Sequence, residues 1–168
     1  MAMRSESRSA ARATLAVEAL RQSGHLRLQV WGASMLPSLW PGDVAEVTSC
    51  VIEDVQPGQI ILAFCDDRFY LHRLQRREES GFITRGDSMP QSDPAFAASA
   101  LLGKVVRVAR SGRLLGDPPR AGKLARGLGR LLCYCGPARQ VALRLHGIRS
   151  PQYGEFTAVP SAQAGGIL

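Results

Sequence analysis

The sequence predicts a mainly β, antiparallel domain with a short N-terminal helix and a basic, partly helical C-terminal segment. Between residues 26 and 110, short apolar or alternating runs follow one another with turn residues between them and almost no helical periodicity. The net charge is concentrated toward the C-terminus, where residues 104–168 carry 11 basic and 2 acidic side chains. We therefore expect three parts: a helix and tail at 1–25, a β domain at 26–110 and a basic extension at 111–168.

The N-terminal helix is predicted over residues 10–22. Leu15, Val17 and Leu20 lie there among helix-forming residues. Ser23 and Gly24 follow, and a glycine directly after a helical pattern is typical of a helix C-terminus. The helix should end at this pair.

The first strand is predicted from alternation. Leu26, Leu28 and Val30 are separated by polar residues, which fits a half-buried strand that runs directly into a glycine-rich turn. Five or six short strands with little helix between them indicate a mainly antiparallel β domain. The further strands are predicted at residues 43–47, 59–64, 69–75, 81–84 and 103–109.

The basic extension has helical spacing between residues 123 and 146, with an interruption at Gly136 and Pro137. Leucines and arginines are interleaved along it, so a pair of amphipathic helical pieces is predicted. One interpretation is a solvated basic face whose leucines pack on the core. The other is a contact with an anionic membrane, since apolar burial and several arginines can hold a protein at a lipid surface.

The composition excludes several classes of protein. No run approaches the roughly 20 apolar residues of a membrane-spanning helix, and Arg4, Glu6 and Arg8 interrupt any signal-peptide core. We expect a cytoplasmic protein, peripheral at the membrane if the extension binds lipid. The four cysteines include no CxxC pair, so reduced thiols are expected, with no metal site and no cofactor.

The candidate nucleophile lies in residues 32–43, GASMLPSLWPGD. A serine in a turn rich in glycine and proline is usually an ordinary loop residue. Here Gly32 permits close approach of a substrate, Met35 can pack under the turn, and Pro37 and Pro41 stiffen the loop. A rigidly held hydroxyl suits acyl transfer, which makes Ser34 a candidate nucleophile.

Three ordered motifs resemble those of the type I signal peptidase superfamily, to which the self-cleaving SOS-type repressors are also related. Residues 34–43, SMLPSLWPGD, resemble its Ser-Met-x-Pro-Thr/Ser-Leu-x-x-Gly-Asp box. Residues 70–74, YLHRL, are similar to its general-base strand, and residues 84–93, TRGDSMPQSD, to its Gly-Asp-Asn-x-x-x-x-Asp box. Residues 102–106 match the strand that closes the catalytic core, so the resemblance covers about residues 26–110.

The resemblance assigns the general base to His72. Bacterial signal peptidases and the repressors use a lysine, but the only two lysines here, Lys104 and Lys123, lie far downstream. Arginine stays protonated and cannot serve, whereas histidine acts as a base near neutral pH without a large pKa shift. The pattern is similar to the Ser-His branch of endoplasmic-reticulum, archaeal and sporulation-type signal peptidases.

The resemblance leaves two carboxylates as partners of the histidine. Its spacing favours Asp93 as the acid that orients His72, while Asp87 either braces the turn or shares that role. Ser88 and Met89 depart from the usual Asn-Asn or Asn-Arg of the box. Gly32 stands where many bacterial enzymes place an oxyanion-hole serine or threonine, so the hole is expected to depend on backbone N–H groups, chiefly that of Ser34.

The resemblance implies a serine endopeptidase that cleaves a leader or precursor peptide. We expect a compact relative, because the 25 residues before the first predicted strand have no room for membrane spans or a helix-turn-helix domain. One alternative is a catalytically inactive β module that binds peptides. A basic nucleic-acid-binding protein is less favoured, since the arginines lack interleaved aromatic residues, and no nucleic-acid partner is expected.

Overall fold

The computed structural model describes residues 2–118, 123–134, 136–145 and 158–159. Within these residues the chain forms one antiparallel sheet of nine strands with three α-helices, so the predicted fold class is confirmed. The sheet order is β6-β5-β4-β3-β7-β2-β1-β9, and β8 pairs with β7 outside this path. The elements are α1 (Ala2–Ser23), β1 (His25–Gln29), β2 (Val44–Ser49), β3 (Ile60–Cys65), β4 (Arg68–Glu78), β5 (Gly81–Arg85), β6 (Phe96–Ala97), β7 (Leu101–Arg110), β8 (Arg113–Gly116), α2 (Lys123–Tyr134), α3 (Gly136–Leu145) and β9 (Ala158–Val159).

Helix α1 packs on one face of the sheet. Its buried side chains join a core cluster that includes Leu28 of β1 and Leu62 of β3. The helix ends as predicted: Gly24 has a φ of 72°, and its N–H donates to the Leu20 carbonyl. The buried α1 residues are Ala13, Ala16, Val17 and Leu20.

A second cluster covers the other face of the sheet. It contains Ile61 and Ala63 of β3, with Leu74 of β4 and the rings of Phe82 and Phe96. Because successive side chains of a strand point to opposite faces, β3 supplies both clusters and is apolar along its length. This two-sided burial gives the sheet a rigid centre, and β4, which carries His72, pairs directly with β3.

The structure also differs from the predicted elements in places. All six predicted strands are present as β1 to β5 and β7, but α1 begins at Ala2, eight residues earlier than predicted. Residues 2–9 are mostly polar and lack apolar periodicity, although several of them favour helix. Strands β6, β8 and β9 have only two to four residues, too few for a recognisable alternation.

The basic extension contains the two predicted helical pieces. Helix α2 ends at Tyr134 and α3 begins at Gly136, which matches the predicted interruption. Leu132 is buried, and a Cβ placed on Gly129 would lie 2.7 Å from the Asp87 carbonyl oxygen, so α2 packs closely on the β domain. Among the described residues, no helix has the length and apolar character needed to cross a membrane. Position 135 and residues 146–157 lie outside the described residues.

Candidate active site

The loop that carries Ser34 is closed at its base by backbone hydrogen bonds. The Val30 N–H donates to the Asp43 carbonyl, and the Gly42 N–H donates to the Val30 carbonyl, so the β1–β2 pairing continues past the end of β1. Within the loop the Leu39 N–H donates to the Met35 carbonyl at 3.0 Å, which closes a turn directly after the serine. Met35 and Leu39 are buried in the first core cluster, as predicted for Met35, and they anchor this turn.

Asp43 fixes the end of the same loop. Its carboxylate is fully buried and accepts hydrogen bonds from the Trp40 N–H and from two guanidinium nitrogens of Arg110, at 2.7 and 2.8 Å. The Arg110 guanidinium also lies 5.8 Å from the centre of the Trp40 ring. Hydrogen bonds to Asp43 raise the pKa of Arg110, so the guanidinium stays charged. This bidentate pair joins the Ser34 loop to the end of β7.

Ser34, His72 and Asp93 lie in one hydrogen-bonded row. The Ser34 Oγ is 2.9 Å from the His72 Nε2, and the His72 Nδ1 is 2.6 Å from the Asp93 Oδ2. The His72 and Asp93 side chains are mostly buried, with 13% and 15% of their surface exposed. The structure therefore brings together three of the four residues singled out in the sequence, although they come from two loops and the middle of β4.

Thr84 holds the carboxylate of this row in place. Its hydroxyl donates to the Asp93 Oδ2 at 2.6 Å, and its carbonyl accepts the Asp93 N–H at 2.9 Å. Desolvation by burial raises the pKa of Asp93, but the hydrogen bonds from His72 and Thr84 and the charge of His72 outweigh it. The pKa of Asp93 therefore lies below its ordinary value, which keeps the carboxylate ionised.

The fourth residue, Asp87, lies in a different network. Its two carboxylate oxygens accept hydrogen bonds from the Nε and Nη2 of Arg73, each at 2.7 Å, and the Ser38 hydroxyl donates to one of them. The Arg73 Nη1 donates to the Gly58 carbonyl at 2.6 Å. Asp87 thus braces the loop that contains Ser38 against β4, the first of the two roles considered for it, and Asp93 is the carboxylate at the His72 ring.

The loop after β5 contacts the backbone of Ser34 directly. The Ser88 N–H donates to the Ser34 carbonyl at 2.9 Å, and the Ser88 hydroxyl donates to the Ala33 carbonyl at 2.7 Å. A Cβ on Gly86 would lie 2.6 Å from the Ser34 carbonyl oxygen and 3.0 Å from the Ser34 Cβ. Only glycine therefore permits this approach, which gives a physical reason for the glycine of the Gly-Asp box.

Sequence reasoning gave no role to Thr84, Arg73 or Ser88 in this site. Thr84 carried a usable signal, because a polar residue two positions after the buried Phe82 on a strand needs a buried partner. Arg73 carried a similar signal, because strand alternation places it on the same face as the apolar Phe69 and Leu71. Ser88 departs from the signal-peptidase box, but nothing in the sequence indicates which carbonyl its hydroxyl reaches.

The hydrogen bonds between Asp93, His72 and Ser34 determine the direction in which a proton can move. An ionised Asp93 can only accept, so the His72 Nδ1 carries the proton and, in the neutral imidazole, Nε2 presents a lone pair to the Ser34 hydroxyl. Nε2 can then take the Ser34 proton as Oγ becomes a nucleophile. Among the described residues, no group of three or more His, Cys, Asp or Glu side chains is arranged to hold a metal ion.

Comparison with protein families and curated sequences places this geometry in context. A family model described as Peptidase S24-like matches residues 4–105, which include most of α1, the Ser34 loop, His72 and Asp93. No curated protein sequence matches the chain significantly.

Proposed function

Because the chain belongs to the Peptidase S24-like family, we propose that it is a serine endopeptidase that cleaves a leader or precursor peptide. Ser34 is the nucleophile and His72 the general base in this proposal. The observation that carries it is the continuous row from Ser34 Oγ through both ring nitrogens of His72 to Asp93.

The proposed reaction has two halves. The Ser34 Oγ attacks the carbonyl carbon of the scissile peptide bond while its proton passes to the His72 Nε2, and the resulting oxyanion is bound by the Ser34 N–H. His72 gives this proton to the amine of the leaving peptide, and an ester on Ser34 remains. A water molecule, deprotonated by His72, hydrolyses that ester and regenerates the serine hydroxyl.

We propose that the catalytic pair is of the Ser-His type and not of the Ser-Lys type. This pair is similar to that of the Ser-His branch of the signal peptidase superfamily. The support is that His72 lies at the Ser34 hydroxyl, whereas the Lys104 Nζ donates to the Asp54 carbonyl. We therefore expect Lys104→Met to retain activity and His72→Ala to lose nearly as much as Ser34→Ala, since nucleophile and base act as a unit.

The experiment that tests this function is labelling with a fluorophosphonate probe, with the modified residue located by mass spectrometry. Wild-type protein should be labelled at Ser34, and His72→Ala should be labelled far more slowly. Ser92, an exposed serine in the same region, supplies the control Ser92→Ala, which should be labelled like wild type. A folded wild-type protein that is never labelled at Ser34 would favour the inactive peptide-binding module instead.

We also propose that α2 contacts an anionic membrane surface. Leu128, Leu131 and Tyr134 expose 46%, 55% and 80% of their surface. Leu131 and Tyr134 lie on the side of the helix away from Gly129 and Leu132, which pack on the domain, and Leu128 lies at the border between the two sides. The sequence of residues 123–145 contains five basic residues and no acidic one, so the charge complements anionic lipid.

Vesicle co-sedimentation tests the membrane contact. Binding should require acidic lipid, weaken with added salt, and fall strongly in the double variant Leu128→Gln/Leu131→Gln. The matched control is Val51→Gln, which changes an exposed apolar residue (59%) on the loop after β2 and should bind like wild type. Absence of binding to acidic vesicles at low salt would refute the proposal. Concentration-dependent self-association abolished by the same double variant would assign this face to a second copy of the chain.

A further inference from the structure

Ser88 holds the two carbonyls on either side of the Ser34 Cα. Its hydroxyl donates to the Ala33 carbonyl, and its N–H donates to the Ser34 carbonyl. The residue is almost fully buried, and the glycine two positions earlier lets its loop approach the Ser34 backbone. Both hydrogen bonds cross between segments far apart in the sequence, so they are made only when the two loops are packed together.

These contacts also determine where two N–H groups point. The Ala33 carbonyl shares a peptide plane with the Ser34 N–H, and the Ser34 carbonyl shares a plane with the Met35 N–H. A trans peptide is planar, so in each plane the N–H points opposite to the C=O. Ser88 holds both carbonyls and thereby fixes the rotation of both planes, so both N–H groups point away from Ser88. The Leu36 N–H, which donates to the Ala33 carbonyl at the longer distance of 3.3 Å, is the other contact on the first plane.

We propose that Ser88 is a positioning residue for the oxyanion hole of this site, an inference that rests on the proposed peptidase function. The Ser34 N–H is the donor assigned to the oxyanion, and Gly32 offers no side-chain hydroxyl to share the task. A backbone donor is effective only when its direction is set before charge develops on the substrate oxygen. The Ser88 hydroxyl supplies that preorganisation through the Ala33 carbonyl, without touching the substrate.

A purely structural role for Ser88 predicts different kinetics. If the hydroxyl only satisfied a buried carbonyl, its removal would lower stability but leave the chemical step of the remaining folded protein unchanged. If it orients the oxyanion donor, its removal lowers kcat and leaves KM nearly constant, because the interaction is formed only in the transition state. The pH dependence of kcat should also stay in place, since His72 and Asp93 are not altered.

The test compares Ser88→Ala with wild type in peptide cleavage and in the rate of fluorophosphonate labelling at Ser34. Loss of a direct oxyanion donor costs about 10²–10³ in kcat, so we expect a smaller loss of about tenfold in both rates for this indirect role. Ser88→Cys keeps a weak donor of similar size and should fall between the two proteins. Ser92→Ala is the control and should match wild type. Circular dichroism and thermal melts establish that each variant is folded at the assay temperature.

Three results would overturn the inference. The first is an unchanged kcat in folded Ser88→Ala, and the second is a rise in KM without a fall in kcat. The third is a displaced pH profile, which would show that Ser88 acts through His72. Each is distinct from failure of the proposed function, in which wild-type protein neither cleaves peptide nor reacts with the probe. If Ser88→Ala does not fold, the comparison of Ser88→Cys with wild type decides the question by the same criteria.

Discussion

At the scale of single residues, Asp87 and Asp93 have different partners although they belong to one short motif. Asp93 contacts His72 and Thr84, whereas Asp87 forms a bidentate pair with Arg73. Asp93→Asn should therefore keep the fold and slow acylation by about 10²–10⁴-fold, because an amide favours the wrong imidazole tautomer. Single-turnover rates measured beside thermal melts test this expectation.

The corresponding change at Asp87 should act on stability. Asp87→Asn leaves the buried Arg73 guanidinium without its counter-charge, which should cost about 3 kcal/mol or more of unfolding free energy. Below its melting temperature the variant should still react at Ser34. A stable but unreactive Asp87→Asn, or an Asp93→Asn with full activity, would reverse the two roles.

The lowered pKa of Asp93 predicts a pH dependence of stability. In the unfolded chain this carboxyl takes up a proton near its ordinary pKa of about 3.9, whereas in the native state it does so only at lower pH. Its contribution to stability is therefore present above about pH 4 and is lost as the pH falls through the native pKa. Urea unfolding at pH 6 and pH 3 should show a difference between wild type and Asp93→Asn that shrinks at pH 3. Ser92→Ala, at an exposed residue without a titratable group, is the control and should show no such convergence.

At the scale of elements, the segment after β5 meets the Ser34 turn at Gly86. Gly86→Ala would place a methyl group 2.6 Å from the Ser34 carbonyl oxygen, so the two segments must separate. We expect a loss of about 1–3 kcal/mol in stability and a large fall in Ser34 labelling. The nearest atom to a Cβ on Gly32 is 3.8 Å away, so Gly32→Ala should melt like wild type. Equal melting temperatures for the two variants would contradict the close approach at Gly86.

The elements and the site differ in how far the sequence predicts them. Strands such as β1 and β4 follow from local alternation, and the Ser34 and His72 candidates follow from local motifs. The hydrogen bond from Ser88 to the Ala33 carbonyl joins residues 55 positions apart, and no local pattern encodes that contact. The length of α1 was also underestimated, because its first residues are polar and carry no apolar period.

At the scale of the whole molecule, α1 and the sheet share one core and should unfold together. Leu20 is 1% exposed within that core, whereas Leu15 on the same helix is 70% exposed. Leu20→Ala should cost about 2–5 kcal/mol, and Leu15→Ala less than about 0.5 kcal/mol. Far-UV circular dichroism and the fluorescence of Trp31 and Trp40 should report coincident urea transitions for each protein. Separate transitions would show that the helix is an independent unit.

The closure of the Ser34 loop by the Asp43–Arg110 pair and by the Val30–Asp43 hydrogen bond has a consequence for native-state dynamics. The loop is joined to β7 at its end and continues the β1–β2 pairing at its base. We therefore expect that it does not open while the sheet stays folded. The amide protons of Leu39 and Asp43 should therefore exchange with solvent only through global unfolding. Ser34 would therefore keep its position relative to a substrate for as long as the sheet is intact. The free energy needed to displace it would equal the free energy of unfolding the whole domain.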